Sequence, residues 1–303
     1  MKFLRNNHIF IWVLILIITL LWGYAWVLMK AVLDYMGPFT FTSFRFIIGT
    51  LVLFLVIWLS RRRFPIKKYW KQLFVQGFLQ TALVFLLVMY GLRFVDAGKS
   101  SVLLYSMPVW SSIFAVKFLK EKLAPVQIMG LILGVLGIFA ILGWDIWLNQ
   151  DVKTIFGELL IIIAAISWGI SNVYFRINLG HLPQLETTAY QMLFGTLIII
   201  LVTFLTEWNE PVVLNGQSIY YILFTGVLAS ALCFTMWFMI LNLIDMVSAT
   251  ISVQLVPIFG LFFSAILLNE TLTVSVLIGT GLIILGIIIV QMKRQEKSVI
   301  PDK

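Results

Sequence analysis

The chain has 303 residues, 61% of them apolar and 11% charged, with a formal charge of +8; soluble domains carry roughly half and about a quarter. That balance excludes a soluble globular protein. One cysteine (Cys233) and two well-separated histidines (His8 and His181) also exclude an intrachain disulfide and any visible metal-ligand spacing.

Apolar runs of about 20 residues, enough to cross a ~30 Å hydrocarbon core, recur along the sequence. The first, at 9–30, follows Lys2 and Arg5 as in a signal peptide, but it is too long and lacks a small-residue cleavage site. It reads as a retained helix. Further spans are expected at 39–60, 72–94, 99–118, 126–143, 155–176, 187–206, 218–240, 248–268 and 273–292. The fold class is therefore all-α and polytopic, with ten transmembrane helices. Connections are short, and the longest, RRRFPIKKYWK at 61–71, carries six cations. If the N-terminus is cytoplasmic, that loop joins Lys2, Arg5, Lys117, Lys120, Lys122, Arg176, Lys293, Arg294, Lys297 and Lys303 inside. Those are 16 of the 21 cations. Lys30, Arg93, Lys99 and Lys153 fall outside, and Arg45 lies within a span. This positive-inside bias predicts both termini in the cytoplasm. It accounts for the basic charge without a nucleic-acid partner.

The stretch WGYAWVLMK at 22–30 is echoed by WGISNVYFR at 168–176, an offset of 146, and Gly49-Thr50-Leu51 by Gly195-Thr196-Leu197. Further on the offset becomes 149: Gly77 with Gly226, Asp96 with Asp245, Pro108 with Pro257, Glu121 with Glu270, Gly130 with Gly279, and Gly137 with Gly286. The chain thus divides into 1–145 and 155–293, five spans each. Five is odd, so the second copy enters the membrane from the opposite side. Inverted repeats of this kind mark secondary transporters, with substrate held near the midplane between the halves.

Several phrases resemble the EamA-type family of the drug/metabolite transporter superfamily. They are LLWGYAWVLMK and SFRFIIGTL, then YGLRFVDAGKSSVLLYSMPVWSSIFAVKFLKEKL, repeated as LNLIDMVSATISVQLVPIFGLFFSAILLNETL. The resemblance spans nearly the whole chain. It implies a central cavity lined by the first, third, fourth, sixth, eighth and ninth helices, with the fifth and tenth peripheral. It also implies export.

Candidate substrate-binding residues follow from polar or aromatic groups inside spans. Trp22, Trp26 and Lys30 share one face at i, i+4, i+8, as do Trp168, Asn172 and Arg176; each terminal cation serves either the cavity or the headgroup region. Arg45 lies about two turns inside its helix. It either holds a substrate carboxylate or caps carbonyls of a neighbouring helix, since an intramembrane Arg needs a partner or water. Pro108 and Pro257 interrupt the fourth and ninth helices at matching places, beside Tyr105, Ser106 and Gln254. Gln76 and Gln80 share a face of the third helix, with Tyr90 further out. Asp96 and Asp245 are expected to cap helices. Glu121 and Glu270 stand where a helix dipole favours a carboxylate. Gly130 and Gly134, and Gly279, Gly281 and Gly286, allow close helix approach, within one chain or between two, so monomer and homodimer both stay open.

The first helix carries no acid, unlike the small multidrug-resistance pattern of proton-driven cation efflux; the acid nearest a span interior is Glu158. No catalytic constellation or phosphate loop is visible, so neither an enzyme nor a cofactor is expected. The expected activity is secondary transport of a small metabolite, an amino acid or related zwitterion or carboxylate, outward across a bacterial plasma membrane by alternating access. Multidrug efflux of lipophilic compounds is the alternative.

Overall fold

The computed structural model describes residues 8–61, 66–120, 123–142, 152–269 and 274–299. Within these the chain is a bundle of helices. α1 spans His8–Ala31, α2 Pro38–Leu59 and α3 Ile66–Gly91; α4 follows at Ala97–Leu119, α5 at Pro125–Leu142 and α6 at Val152–Asn178. α7 is Gln184–Thr206, α8 Gly216–Leu243, α9 Met246–Ser252 plus Leu255–Leu267, and α10 Val274–Val299. Among the described residues eight of these helices are long and apolar enough to cross a membrane. α5 and α10 are apolar over the shorter stretches Pro125–Ala140 and Leu277–Gly286. The chain is thus an all-helical polytopic membrane protein.

The elements depart from the simple spans in ways that matter for the interior. α3 starts at Ile66, within the stretch expected as a basic loop; IKKYWK alternates cations with rings and suits a helix lying at an interface. α3 and α8 each contain a π-helical segment, at Phe78–Leu83 and Phe224–Leu232. α4 and α9 are broken rather than merely bent, at Tyr105–Ser106 and Val253–Gln254. Pro108 and Pro257 then fall in the first turn of the new segments, where a missing N–H is harmless.

Lipid offers no hydrophobic drive for helices to associate, so packing rests on close approach at small residues and on hydrogen bonds. A Cβ on Gly23 would lie 2.5 Å from the Phe259 Cβ and 3.1 Å from the Gly260 nitrogen, joining α1 to α9. One on Gly169 would lie 2.9 Å from the Trp110 Cβ and 3.0 Å from the Ser111 nitrogen, joining α6 to α4. These two contacts correspond at the offsets of the sequence echo. So do those of Gly49 with the Gly226 carbonyl (2.9 Å) and Gly195 with the Gly77 carbonyl (2.7 Å). Where α2 meets α7, Thr50 and Thr196 share a hydroxyl hydrogen bond of 3.1 Å. Such bonds average only about 0.6 kcal/mol in membrane interiors. The glycine approaches therefore dominate. α5 and α10 pack on each other through Gly137 against Gly279 and Gly286 against Gly130, whereas Gly134 faces Gln254 of α9 and Gly281 has nothing within 4 Å.

Helix ends are closed by distant side chains. Asp245 accepts from the Ser248 N–H at 2.9 Å, an N-cap as expected. Asp96 occupies the same position but its side chain makes no capping bond, which corrects the expectation; it is exposed to solvent, which satisfies the carboxylate instead. Glu121 and Glu270 lie outside the described residues. α2 is capped from another helix end. The Glu207 carboxylate accepts from Phe39 N (3.1 Å), Thr40 N (2.7 Å) and Thr40 Oγ1 (2.8 Å). Sequence proximity gives no hint of that cap.

Two outcomes follow. Gly195→Ala, whose Cβ would lie 2.5 Å from the Thr81 Cβ, is expected to lower stability by about 1–3 kcal/mol through overpacking, while Gly281→Ala leaves it unchanged. Glu207→Ala removes the α2 cap and is expected to cost about 1–2 kcal/mol. Apparent Tm in detergent, measured for the three variants beside wild type, checks both.

Candidate functional site

Five of the nine residues singled out from sequence converge. Trp22 and Trp26 of α1, Arg45 of α2, Tyr105 at the break of α4 and Trp168 of α6 line one central void, with Met29 and Phe85 completing its wall. All five are buried. The void has about 20 Å³ of free space, room for little more than one water. This conformation is therefore closed around it. The aromatic floor is tightly built: Trp22 meets Trp168 edge to face at 5.6 Å, and Tyr105 lies 6.0 Å from Trp168.

Arg45 is the charged group of this void. Its Nε donates to Ser230 Oγ at 2.8 Å and its Nη1 to Met29 Sδ at 3.0 Å. It does not cap helix carbonyls. The guanidinium carbon sits 4.5 Å from the Phe85 ring centroid and 5.1 Å from that of Phe46. Arg45 makes no ion pair among the described residues. Burying an Arg at mid-helix costs about 2.5–3.5 kcal/mol on insertion scales, and a desolvated cation–π contact returns up to about 2 kcal/mol. Two rings and a hydroxyl thus roughly offset the penalty. The full charge stays available to an anion.

The π-helical turn of α8 supplies a further fixed point. An i→i+5 turn shifts backbone pairing, and the Ala229 carbonyl within it accepts the Trp22 Nε1–H at 2.8 Å. In α3 the Leu79 carbonyl, also in a π-helical turn, accepts from Ser167 Oγ at 2.8 Å.

Four predicted residues lie outside the void. Lys30 donates to the Leu92 and Val95 carbonyls at 2.7 and 3.0 Å, closing the C-terminal end of α3, where a cation suits the helix dipole. Arg176 does the same for α8 through the Ile244 carbonyl at 3.2 Å. Asn172 ties three helices, donating to Met107 Sδ (3.3 Å) and Ser111 Oγ (3.4 Å) and accepting from Trp237 Nε1 (3.2 Å). Gln80 accepts from Ser171 Oγ through its carbonyl. Gln254 is buried beside Gly134, and neither of its amide atoms has a hydrogen-bond partner.

Carboxylates are more buried than the sequence suggests. Glu158 forms an ion pair with Lys99 at 2.7 Å, and Glu186 and Glu207 are only 3% and 6% exposed. No group of three His, Cys, Asp or Glu able to hold a metal occurs among the described residues.

Ser230, Met29, Phe85 and the π-helical turns escaped sequence reasoning. One signal was present: FLQTALVF at 78–85 and VLASALCF at 227–234 agree at Leu, Ala, Leu and Phe. That offset is again 149, and the shared pattern falls on the two π-helical segments.

Comparisons with known proteins agree with this architecture. The chain is 33% identical to an uncharacterized transporter of Bacillus subtilis, YoaV, over 90% of its length and 94% of that protein. A Salmonella typhimurium protein named "Probable amino-acid metabolite efflux pump" is 25% identical over 91% of this chain and 93% of its own. A solved structure at 18% identity superposes with a TM-score of 0.75, covering 94% of this chain and 98% of that one, which shows the shared fold. The EamA-like transporter family matches residues 9–143 and again 155–292; the chain belongs to that family.

Proposed function

We propose that this transporter carries a small carboxylate-bearing metabolite, an amino acid or related zwitterion, outward across a bacterial plasma membrane. It works by alternating access between two inverted five-helix repeats, 1–145 and 155–293, in a ten-span chain with both termini cytoplasmic. The observation that carries the substrate reading is Arg45, a buried guanidinium in an aromatic void with no carboxylate of its own. A substrate carboxylate would replace the weak Met29 Sδ acceptor and gain a bidentate, charge-assisted pair in a dry site. The rings of Trp22, Trp26, Tyr105 and Trp168 would enclose the remainder of the molecule.

The repeat reading is supported by contacts that correspond at offsets 146 and 149, on α1 with α9 and α6 with α4, and by the two separate family matches. The distribution of cations favours cytoplasmic termini. Export draws support from the relative named as an efflux pump. On this orientation the void lies in the outer half, because its α1 residues, from Trp22 to Met29, occupy the C-terminal part of that helix.

Arg45→Met separates function from structure. Replacing a buried charge with an apolar chain of similar volume is often neutral or stabilising, so Tm is expected to hold or rise while transport is lost. A fall in Tm with transport retained assigns Arg45 to structure. Untargeted profiling of the medium from cells expressing wild type or Arg45→Met tests the substrate. One or a few carboxylates are expected outside with wild type and absent with the variant. An unchanged medium together with broad tolerance to lipophilic compounds would replace this reading with multidrug efflux.

A further inference from the structure

The surroundings of Arg45 have a counterpart in the other half of the chain. At offsets 146 and 149, Arg45 corresponds to Gln191, Ser230 to Thr81, Trp22 to Trp168, Ala229 to Gln80 and Met29 to Phe175. The contact corresponds as well. Arg45 Nε donates to Ser230 Oγ at 2.8 Å, and Gln191 Oε1 accepts from Thr81 Oγ1 at 2.9 Å. Gln80 is anchored likewise, its Oε1 held by Ser171 Oγ.

In both amides the carbonyl is thus engaged and the NH2 is left over. Gln191 Nε2 and Gln80 Nε2 have no hydrogen-bond partner although both residues are fully buried. Trp168 Nε1 is unpartnered too. Its counterpart Trp22 Nε1 is bonded to Ala229, and the acceptor corresponding to Ala229 is the Gln80 carbonyl, which Trp168 does not reach. Three N–H donor groups are therefore buried within one region of α3, α6 and α7 with no acceptor. Leaving such a group unmet typically costs about 1–3 kcal/mol. Buried polar atoms left this way need a resident water or a ligand.

We infer that Gln191, Gln80 and Trp168 form a second half-site for the same carboxylate, occupied when the transporter opens to the face opposite the Arg45 void. This rests on the transport reading above. In the present conformation the second half-site is collapsed. Phe175, the counterpart of Met29, is stacked on Phe238 at 4.3 Å, and Asn172, the counterpart of Trp26, is tied to Met107, Ser111 and Trp237. The two half-sites share the Trp22–Trp168 pair as a common wall. Their chemistry differs at one position: a guanidinium on one side, a neutral amide on the other. The same anion is consequently held more tightly from the Arg45 side, because hydrogen bonds from a charged donor are roughly twice as strong as neutral ones.

Cysteine accessibility tests the assignment. Cys233 is the chain's one cysteine and is buried, so Cys233→Ser provides the background. Into it Met29→Cys, Gln191→Cys and Phe175→Cys are introduced singly. Right-side-out and inverted membrane vesicles are then exposed to membrane-impermeant thiosulfonates, one bearing a sulfonate and one a trimethylammonium group. Met29→Cys is expected to react from one face only, and faster with the sulfonate. Gln191→Cys and Phe175→Cys are expected to react from the opposite face only, with little preference for charge. Reaction of positions 191 and 175 from the same face as position 29, or their inertness while position 29 reacts, overturns the second half-site and leaves the Arg45 void standing. If Met29→Cys is inert from both faces, the void itself is not on the transport path and both readings fall. Carrying two reporters guards against a single variant that does not fold.

Discussion

A backbone inside hydrocarbon must satisfy every one of its own hydrogen-bonding groups, and this chain breaks its helices repeatedly. Wherever it does so, a side chain from elsewhere closes the account. The π-helical turn of α8 gives its Ala229 carbonyl to Trp22, and that of α3 gives Leu79 to Ser167. The end of α3 is met by Lys30, the end of α8 by Arg176, and the start of α2 by Glu207. Three of these five join the first half of the sequence to the second. Irregular backbone and the cohesion of the two halves are thus one phenomenon.

That constraint separates what hydropathy reveals from what it hides. Apolar runs located the helices well because length and composition alone decide whether a segment suits lipid. Tryptophan, arginine and proline within spans were legible because each is expensive or unusual there, and Trp22, Trp26, Arg45, Tyr105 and Trp168 do come together. The π-helical turns were not legible: an extra residue in a turn changes neither hydropathy nor composition. The Glu207 cap was hidden because it acts on residues nearly 170 positions away. Lys30 was read as a cavity or headgroup cation from its place at a helix end. In the fold it is consumed by carbonyls of α3, a role that depends on which helix stands beside it.

Arg45 illustrates how a membrane interior can hold a charge without neutralising it. An ion pair would have spent the charge on structure. Aromatic faces and a single hydroxyl stabilise the cation diffusely instead, leaving its hydrogen-bonding fork incompletely matched. Replacing the thioether of Met29 by an oxyanion is then a large gain from a small rearrangement. Such a site favours binding without a deep energetic trap in the empty protein.

The hydroxyl pair of Thr50 and Thr196 joins a residue to its own counterpart, as does the ring contact of Trp22 with Trp168. A contact of this type has a property that no other contact in the bundle shares. When two halves exchange conformations, a bond between unlike positions in one state becomes a different bond in the other, whereas a bond between like positions maps onto itself. Its energy cancels from the difference between the two states. Substitutions along this axis would therefore weaken or strengthen the assembly as a whole while leaving the balance between its two faces where it was. That balance is set off the axis, where arginine faces serine on one side and glutamine faces threonine on the other.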